Sequence, residues 1–250
     1  MTRQNILITG ASSGLGAQMA REFAKRGRHL GLCARRTDRL LELQSELRTL
    51  APAVRVVVRE LDVNDSAAVF RVFREIQGEL GSLDRVIVNA GVGRGERLGT
   101  GHFEANRKTL ETNLVAALAQ CEAAIEIFRE QGAGHLVTIA SMSALRGLPG
   151  HMTAYAASKA GLWALTEGLR VDLVRTPGIV ASTMLPGYIR TELTARHRKT
   201  LFMVDLEPGT RALVAAIERE PARACVPPWP WWPIGVALRV APSRLLAKLF

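Results

Sequence analysis

Cysteine is scarce in this sequence: Cys33, Cys121 and Cys225 are odd in number and widely separated. No CxxC pair or Cys/His cluster at ligand spacing occurs, which argues against a disulfide scaffold or a metal site and for a reduced, cytoplasmic chain. Aromatic residues make up only 5% of the chain, and the formal net charge of +10 is scattered rather than gathered into an arm. Without a recognition motif beside it, that charge does not mark a nucleic-acid binder. Low-complexity tracts and fixed-period repeats are absent. Met1 to Gln4 lead directly into Ile6-Leu7-Ile8, too short for the core of a signal peptide. What remains is an ordinary globular composition, with 250 residues to bury one substantial core.

Short β-branched runs alternate with amphipathic stretches, the pattern of βαβ units and a parallel sheet. Strands are expected at Gln4–Thr9, His29–Ala34, Val54–Leu61, Arg85–Asn89, His135–Ala140 and Ile179–Leu185, with a weaker one at Ala222–Val226. Runs such as Val54 to Val58 point to strands covered on both faces. Helices are expected at Leu15–Arg26, Thr37–Leu50, Ser66–Glu79, Ala105–Glu130, Thr153–Arg175 and Pro208–Arg219. Asn64-Asp65-Ser66 supplies caps, Gly27, Gly81 and Gly132 sit where helices should stop, and Pro208 suits a first helical position. Residues 190–206 lack periodicity and read as a flap. No linker divides the chain before Pro227, so residues 1–226 read as one domain and 227–250 as a tail.

Thr9-Gly10-Ala11-Ser12-Ser13-Gly14-Leu15-Gly16 joins the first strand to the first helix. A glycine turn there lets backbone N–H groups and a helix N-terminus approach a pyrophosphate. The spacing is GxxxGxG rather than GxGxxG, and taken alone it is equally compatible with a simple tight turn. The second strand ends in Cys33-Ala34-Arg35-Arg36, where an NAD site carries an acidic residue for the ribose 2′-hydroxyl. Guanidinium groups there suit a 2′-phosphate and hence NADP(H), with Arg35 the first choice and Arg36 the second. A solvated helix start is the plainer alternative.

Three further segments accompany that turn: Val88-Asn89-Ala90-Gly91, Asn113 in the long helix, and Ser141 with Tyr155-Ala156-Ala157-Ser158-Lys159. Together they resemble the short-chain dehydrogenase/reductase family over about residues 4 to 226. The resemblance implies a Rossmann-like doubly wound domain with a seven-stranded parallel sheet flanked by helices on both faces. It also implies a nicotinamide cofactor contacted by Gly10, Ser12, Ser13, Gly14, Leu15 and Gly16. Asp62-Val63 would lie beside the adenine, Asn89 would support the sheet centre with Ala90 and Gly91 beside it, and Pro186-Gly187, Ile189 and Thr191 would lie near the nicotinamide. Asn113, Ser141, Tyr155 and Lys159 would form the catalytic set. Position 142, where the family commonly has its serine, is Met, so Ser141 takes that role with Ser143 as fallback.

Tyr155 and Lys159 are four apart and so share one helix face. A nearby ammonium would lower the phenol's pKa toward neutrality, where acid/base exchange is efficient. Ser141 could hold the oxygen on which negative charge develops. The family's asparagine, here Asn113, links the lysine to solvent through a water, and its lysine also contacts the nicotinamide ribose. None of His29, His102, His135, His151 and His197 stands in a recognisable nucleophile relay. His151 and Met152 read either as surface loop or as cleft lining.

From Pro227 the composition changes to Pro227-Pro228-Trp229-Pro230-Trp231-Trp232-Pro233 and an apolar stretch broken by Arg239, Pro242, Arg244 and Lys248. It is too interrupted to span a bilayer. Two readings stand: the tail covers the substrate cleft or clamps a second subunit, or it makes peripheral contact with a membrane on its cytoplasmic face. The functional expectation is hydride transfer between NADP(H) and a small-molecule carbonyl or secondary alcohol, with reduction of a hydrophobic substrate favoured. A catalytically idle NADP(H) sensor or a membrane-peripheral interaction protein is the alternative. The family resemblance further implies a homo-dimer or homo-tetramer assembled through the two long helices.

Overall fold

The computed structural model describes residues 3–93, 95–192 and 202–249. Seven parallel strands form one sheet in the order β3-β2-β1-β4-β5-β6-β7. They are β1 (Asn5–Thr9), β2 (His29–Ala34), β3 (Val56–Glu60), β4 (Arg85–Val88), β5 (Gly134–Ile139), β6 (Ile179–Pro186) and β7 (Arg223–Val226). Helices α1 (Gly14–Ala24), α2 (Thr37–Leu50) and α3 (Ser66–Leu80) link the first four strands. Then come α4 (Phe103–Leu110), α5 (Ala116–Gln131), α6 (Thr153–Asp172) and α7 (Leu206–Glu218), followed after β7 by α8 (Pro228–Val240) and α9 (Ser243–Leu249).

Each face of the sheet is covered by its own apolar layer. Phe73, Phe128 and Ile76 pack from α3 and α5 on one side, and Phe23, Leu40 and Leu213 from α1, α2 and α7 on the other. Burial of each such side chain contributes about 1.5–3 kcal/mol. β1, β4 and β5 are buried at every residue, as apolar runs between two layers require. β3 departs from the expectation of two-sided cover: it lies at the sheet edge and its middle residues are only half buried.

The caps explain several boundaries. The Asp65 carboxylate accepts the Ala68 N–H at 2.9 Å, and Gly81 and Gly132 end α3 and α5 at φ 89° and 71°. Pro208 is not the first residue of α7, which begins at Leu206. It still falls in the first turn, where a missing N–H costs nothing. The single long helix expected over Ala105–Glu130 is interrupted by a π-helical turn, Glu111–Val115, that carries Asn113. Most of the expected flap, with His197, lies outside the described residues.

The tail is helical despite its prolines. Pro233 would clash with the carbonyl of residue 229 in a regular helix, but Trp229 is extended at φ −100° and ψ 133°. The continuous helix therefore starts after Trp229, and Pro233 sits in its first turn.

The order of the strands reverses between β1 and β4. In doubly wound sheets the crevice beyond the carboxyl ends of such a strand pair is where ligands bind.

Candidate active site

The loops leaving β1 and β4 meet in that crevice. Thr9 is fully buried, and its Oγ1 accepts the N–H groups of Asn89 and Ala90, each at 3.1 Å. Asn89 returns the link through its side-chain amide, which donates to the Thr9 carbonyl at 2.9 Å. Gly10 has φ +65°, and a Cβ there would stand 2.8 Å from the Cα of Ala90. A Cβ on Gly16 would strike the Gly10 carbonyl and the Asn89 amide. These two glycines let the turn lie flush against the loop after β4.

Gly14, with φ +54°, opens α1, and Ser13 makes no side-chain capping bond. The dipole end of α1 thus keeps N–H groups for an anion. A Cβ on Gly14 would be 3.6 Å from Thr191, so the segment after β6 borders the same turn. Arg36 reaches back over the turn and donates to Ser12 Oγ at 3.1 Å and to Ser13 Oγ at 2.6 Å. Arg35 is exposed beside it. Arg36 and Arg39 also pair with Glu192, at 3.6 and 3.0 Å. Leu15 packs partly buried against the apolar layer beneath α1. Asp62 accepts the Asn64 N–H at 3.1 Å and Val63 is buried.

The second half of the site is built on the π turn and α6. Asn113 accepts the Val92 N–H at 2.8 Å, and its amide donates to the Val92 carbonyl at 2.8 Å and to Ser158 Oγ at 3.2 Å. A Cβ on Gly91 would stand 3.0 Å from Asn113 Oδ1 and 3.6 Å from Lys159 Nζ, so these three residues share one pocket wall. Lys159 is buried and donates to the Ile139 carbonyl at 2.9 Å, while its Nζ is 6.0 Å from the centre of the Tyr155 ring. Burial pushes the ammonium down to about 8.

Tyr155 departs from the sequence expectation. Burial raises its phenol above the ordinary value, opposed by a hydrogen bond with Ser141. The Lys159 ammonium is turned toward the Ile139 carbonyl. Ser141 Oγ also accepts the Ser143 N–H at 3.2 Å, whereas the Ser143 hydroxyl is buried without a hydrogen-bond partner. Of the two serines, Ser141 is the one whose hydroxyl acts on the phenol's pKa.

A cavity of about 150 Å³ opens over Tyr155. Ser141, Met142 and Ser143 form one wall, Leu148 and Met152 a second, and Pro186, Gly187 and Tyr188 a third. His151, next to Met152, is exposed. The tail closes the cavity with Trp231, Ile234 and Leu238, a contribution the sequence left open. A Cβ on Gly187 would fall inside the Trp231 indole, and Tyr188 meets that ring edge-on at 5.5 Å between centroids. Ile189 is buried just beyond.

Residues 4–201 match the sequence model of short chain dehydrogenases. The chain belongs to the short-chain dehydrogenase/reductase family. It is similar to an uncharacterised oxidoreductase of Mycobacterium tuberculosis, with 56% identity over 99% of this chain and 98% of the other. It also resembles an uncharacterised oxidoreductase of Myxococcus xanthus, with 35% identity over 96% and 92% of the two chains. Among solved structures, levodione reductase superposes with a TM-score of 0.80 at 27% identity, covering 90% of this chain and 96% of the other. A short-chain dehydrogenase/reductase of Mycobacterium marinum gives 0.81 at 25% identity, covering 96% of each. This short-chain dehydrogenase/reductase is therefore an oxidoreductase, of a family that binds a nicotinamide cofactor. No helix among the described residues is long and apolar enough to cross a membrane.

Proposed function

We propose that this enzyme is an NADP(H)-dependent reductase of apolar carbonyl compounds, catalysing the reverse oxidation of the secondary alcohol on the same residues. The observation that carries the reading is that Ser141 and Tyr155 line one apolar cavity, with Lys159 buried one turn along the same helix as Tyr155. The turn fits a dinucleotide: Gly10 and Gly16 leave no room for side chains, and the α1 N-terminus is uncapped. Gly10, Ser12, Ser13, Gly14, Leu15 and Gly16 would hold the pyrophosphate, and Arg36, with Arg35 beside it, a 2′-phosphate. A solved fold relative at 24% identity, an archaeal alcohol dehydrogenase, is complexed with 5-hydroxy-NADP. Asp62 and Val63 would border the adenine. Asn89 would support the sheet centre with Ala90 and Gly91 beside it, and Pro186, Gly187, Ile189 and Thr191 would border the nicotinamide ring. When bound, the nicotinamide supplies or accepts the hydride.

The chain's own residues handle the oxygen and its proton. Ser141 holds the substrate oxygen, and Tyr155, kept protonated by burial, delivers a proton to it as negative charge develops. Lys159 carries a proton that can be exchanged close to neutrality, and Asn113 fixes the wall against which it lies. Apolar residues exposed on the helices, Val115 at the end of the π turn, Leu118 on α5 and Val171 at the end of α6, support a homo-dimer or homo-tetramer. The three unpaired cysteines support a reducing, cytoplasmic setting.

The test is steady-state kinetics with NADPH and NADH against aldehydes and ketones. NADPH should be preferred, and Arg36→Ala should cut that preference about tenfold or more by removing one charged hydrogen-bond donor. Tyr155→Phe should lower kcat by about 10²–10⁴ while the NADPH Kd stays the same. Preference for NADH would remove the cofactor assignment, and a Tyr155→Phe enzyme that still turns over would remove the acid.

A further inference from the structure

Helix α8 is apolar on two sides. Trp231, Ile234 and Leu238 recur at helical spacing and face the cavity. Trp232, Val236 and Val240 recur at four-residue spacing on the opposite side and are exposed, with Trp229 before them and Leu245 of α9 beyond. Trp229 and Trp232 are 79% and 66% exposed. A helix apolar all round is normally buried on all sides, and this one is buried on one.

The surrounding charge indicates what covers the other. Residues 221–250 contain Arg223, Arg239, Arg244 and Lys248 and no acidic residue. Arg239 is exposed and lies over the Trp163 ring at 5.0 Å, and the Arg146 guanidinium donates to the Ala241 carbonyl at 3.4 Å, so the helix is held to the body at its C-terminal end. Indole rings beside fixed cations match the headgroup depth of a bilayer with anionic lipid. A second copy is the poorer occupant, because a two-fold contact would bring together Arg239 and Arg244 of each copy with no acidic residue in residues 221–250 to pair them.

We propose that the outer stripe of α8, with Leu245, docks this enzyme on an anionic lipid surface, leaving the inner stripe as the wall between that surface and the cavity. Docking would place the apolar cavity next to the phase in which an apolar substrate dissolves. The docking itself does not depend on the reaction assigned above, and its test reads binding.

The full chain is mixed with vesicles of phosphatidylglycerol and phosphatidylcholine, or of phosphatidylcholine alone, and sedimented. The wild type should bind the anionic vesicles, release as salt rises, and show a blue shift of tryptophan emission. Trp229→Ser/Trp232→Ser/Val236→Ser should weaken binding by about tenfold or more, because it removes the inserted apolar groups. A second variant, Val240→Glu/Arg244→Glu, alters only exposed positions and should weaken binding likewise should the triple variant fold poorly. Turnover of a water-soluble carbonyl should be unchanged in both. Wild type that stays with the supernatant overturns the proposal, as does equal vesicle binding by wild type and both variants. If vesicles fail to capture the wild type and the triple substitution dissolves an oligomer, the stripe is a subunit contact instead.

Discussion

The indole of Trp231 lies against the backbone of Gly187, in the space that any side chain at that position would need. The end of β6 and the tail helix are thereby locked face to face, and the cavity over Tyr155 gains a wall from the last part of the sequence. Trp231→Ala should open that wall. We expect KM for apolar carbonyls to rise more than kcat falls, with a stability loss of about 3 kcal/mol for the lost burial. Urea unfolding and kinetics on a series of ketones of rising size would check both, and an unchanged KM would separate Trp231 from substrate.

Ser141 and Ser143 both line the cavity, yet only the Ser141 hydroxyl acts on the phenol's pKa. Ser141→Ala should therefore lower kcat by about 10²-fold or more, the scale of losing one donor to a developing oxyanion. Ser143→Ala removes a buried hydroxyl that has no partner, and should leave turnover close to wild type and stability equal or higher. The reverse order of effects would exchange the two roles.

Lys159 combines burial with a pKa pushed down to about 8. Its folded value lies below its unfolded one, so the unfolded chain binds the extra proton between about pH 8 and the ordinary lysine value near 10.4, and below that window the buried cation costs stability. Lys159→Met should abolish turnover and, at pH 7, stabilise the fold by roughly 1–2 kcal/mol once the orphaned Ile139 carbonyl is counted. The gain should shrink as pH rises from 8 toward 10.4. Thermal unfolding at three pH values reads it directly, and a variant less stable than wild type at pH 7 would contradict it.

At the other end of the sheet Arg85, 1% exposed, donates through Nε to His135 Nδ1 at 2.9 Å and pairs with Glu218 and Glu220 at 2.8 and 3.1 Å. That bond assigns His135 the Nε2–H tautomer, which donates to Ser182 Oγ at 2.8 Å. Burial, with Arg85 close by, holds His135 down to about 3. Because its folded pKa is depressed, stability should fall as pH drops from about 6.5 toward 3, where the unfolded chain takes up the proton. His135→Gln should flatten that slope, measured as unfolding free energy against pH, at some cost in stability at pH 7. An unaltered slope would place the acid sensitivity elsewhere.

Much of this architecture was legible in the residue pattern. Val, Ile and Leu runs fixed six strands to within two residues at each end, and Asp65, Gly81 and Gly132 marked helix ends through local backbone chemistry. The parts that escaped depend on contacts distant in sequence. No helix was expected over Pro228, Pro230 and Pro233, and only the extended backbone at Trp229 makes room for the last of them. The π turn at Asn113 adds no signal to the apolar periodicity, so Ala105–Glu130 looked continuous. In the candidate site, Tyr155 and Lys159 shared a helix face by their spacing and Ser141 and Asn113 followed from the family resemblance, but the Lys159 bond to Ile139 and the packing of Trp231 on Gly187 were not legible.

Strand β4 is only four residues long, and it runs from the arginine buried in the ion network to the loop that Thr9 secures beneath the glycine turn. Anchorage and chemistry thus occupy opposite poles of one short rod. Reshaping loops at the carboxyl pole for a different substrate leaves the salt-bridged pole untouched, so new specificity can be engineered here without eroding the foundation that keeps the sheet folded.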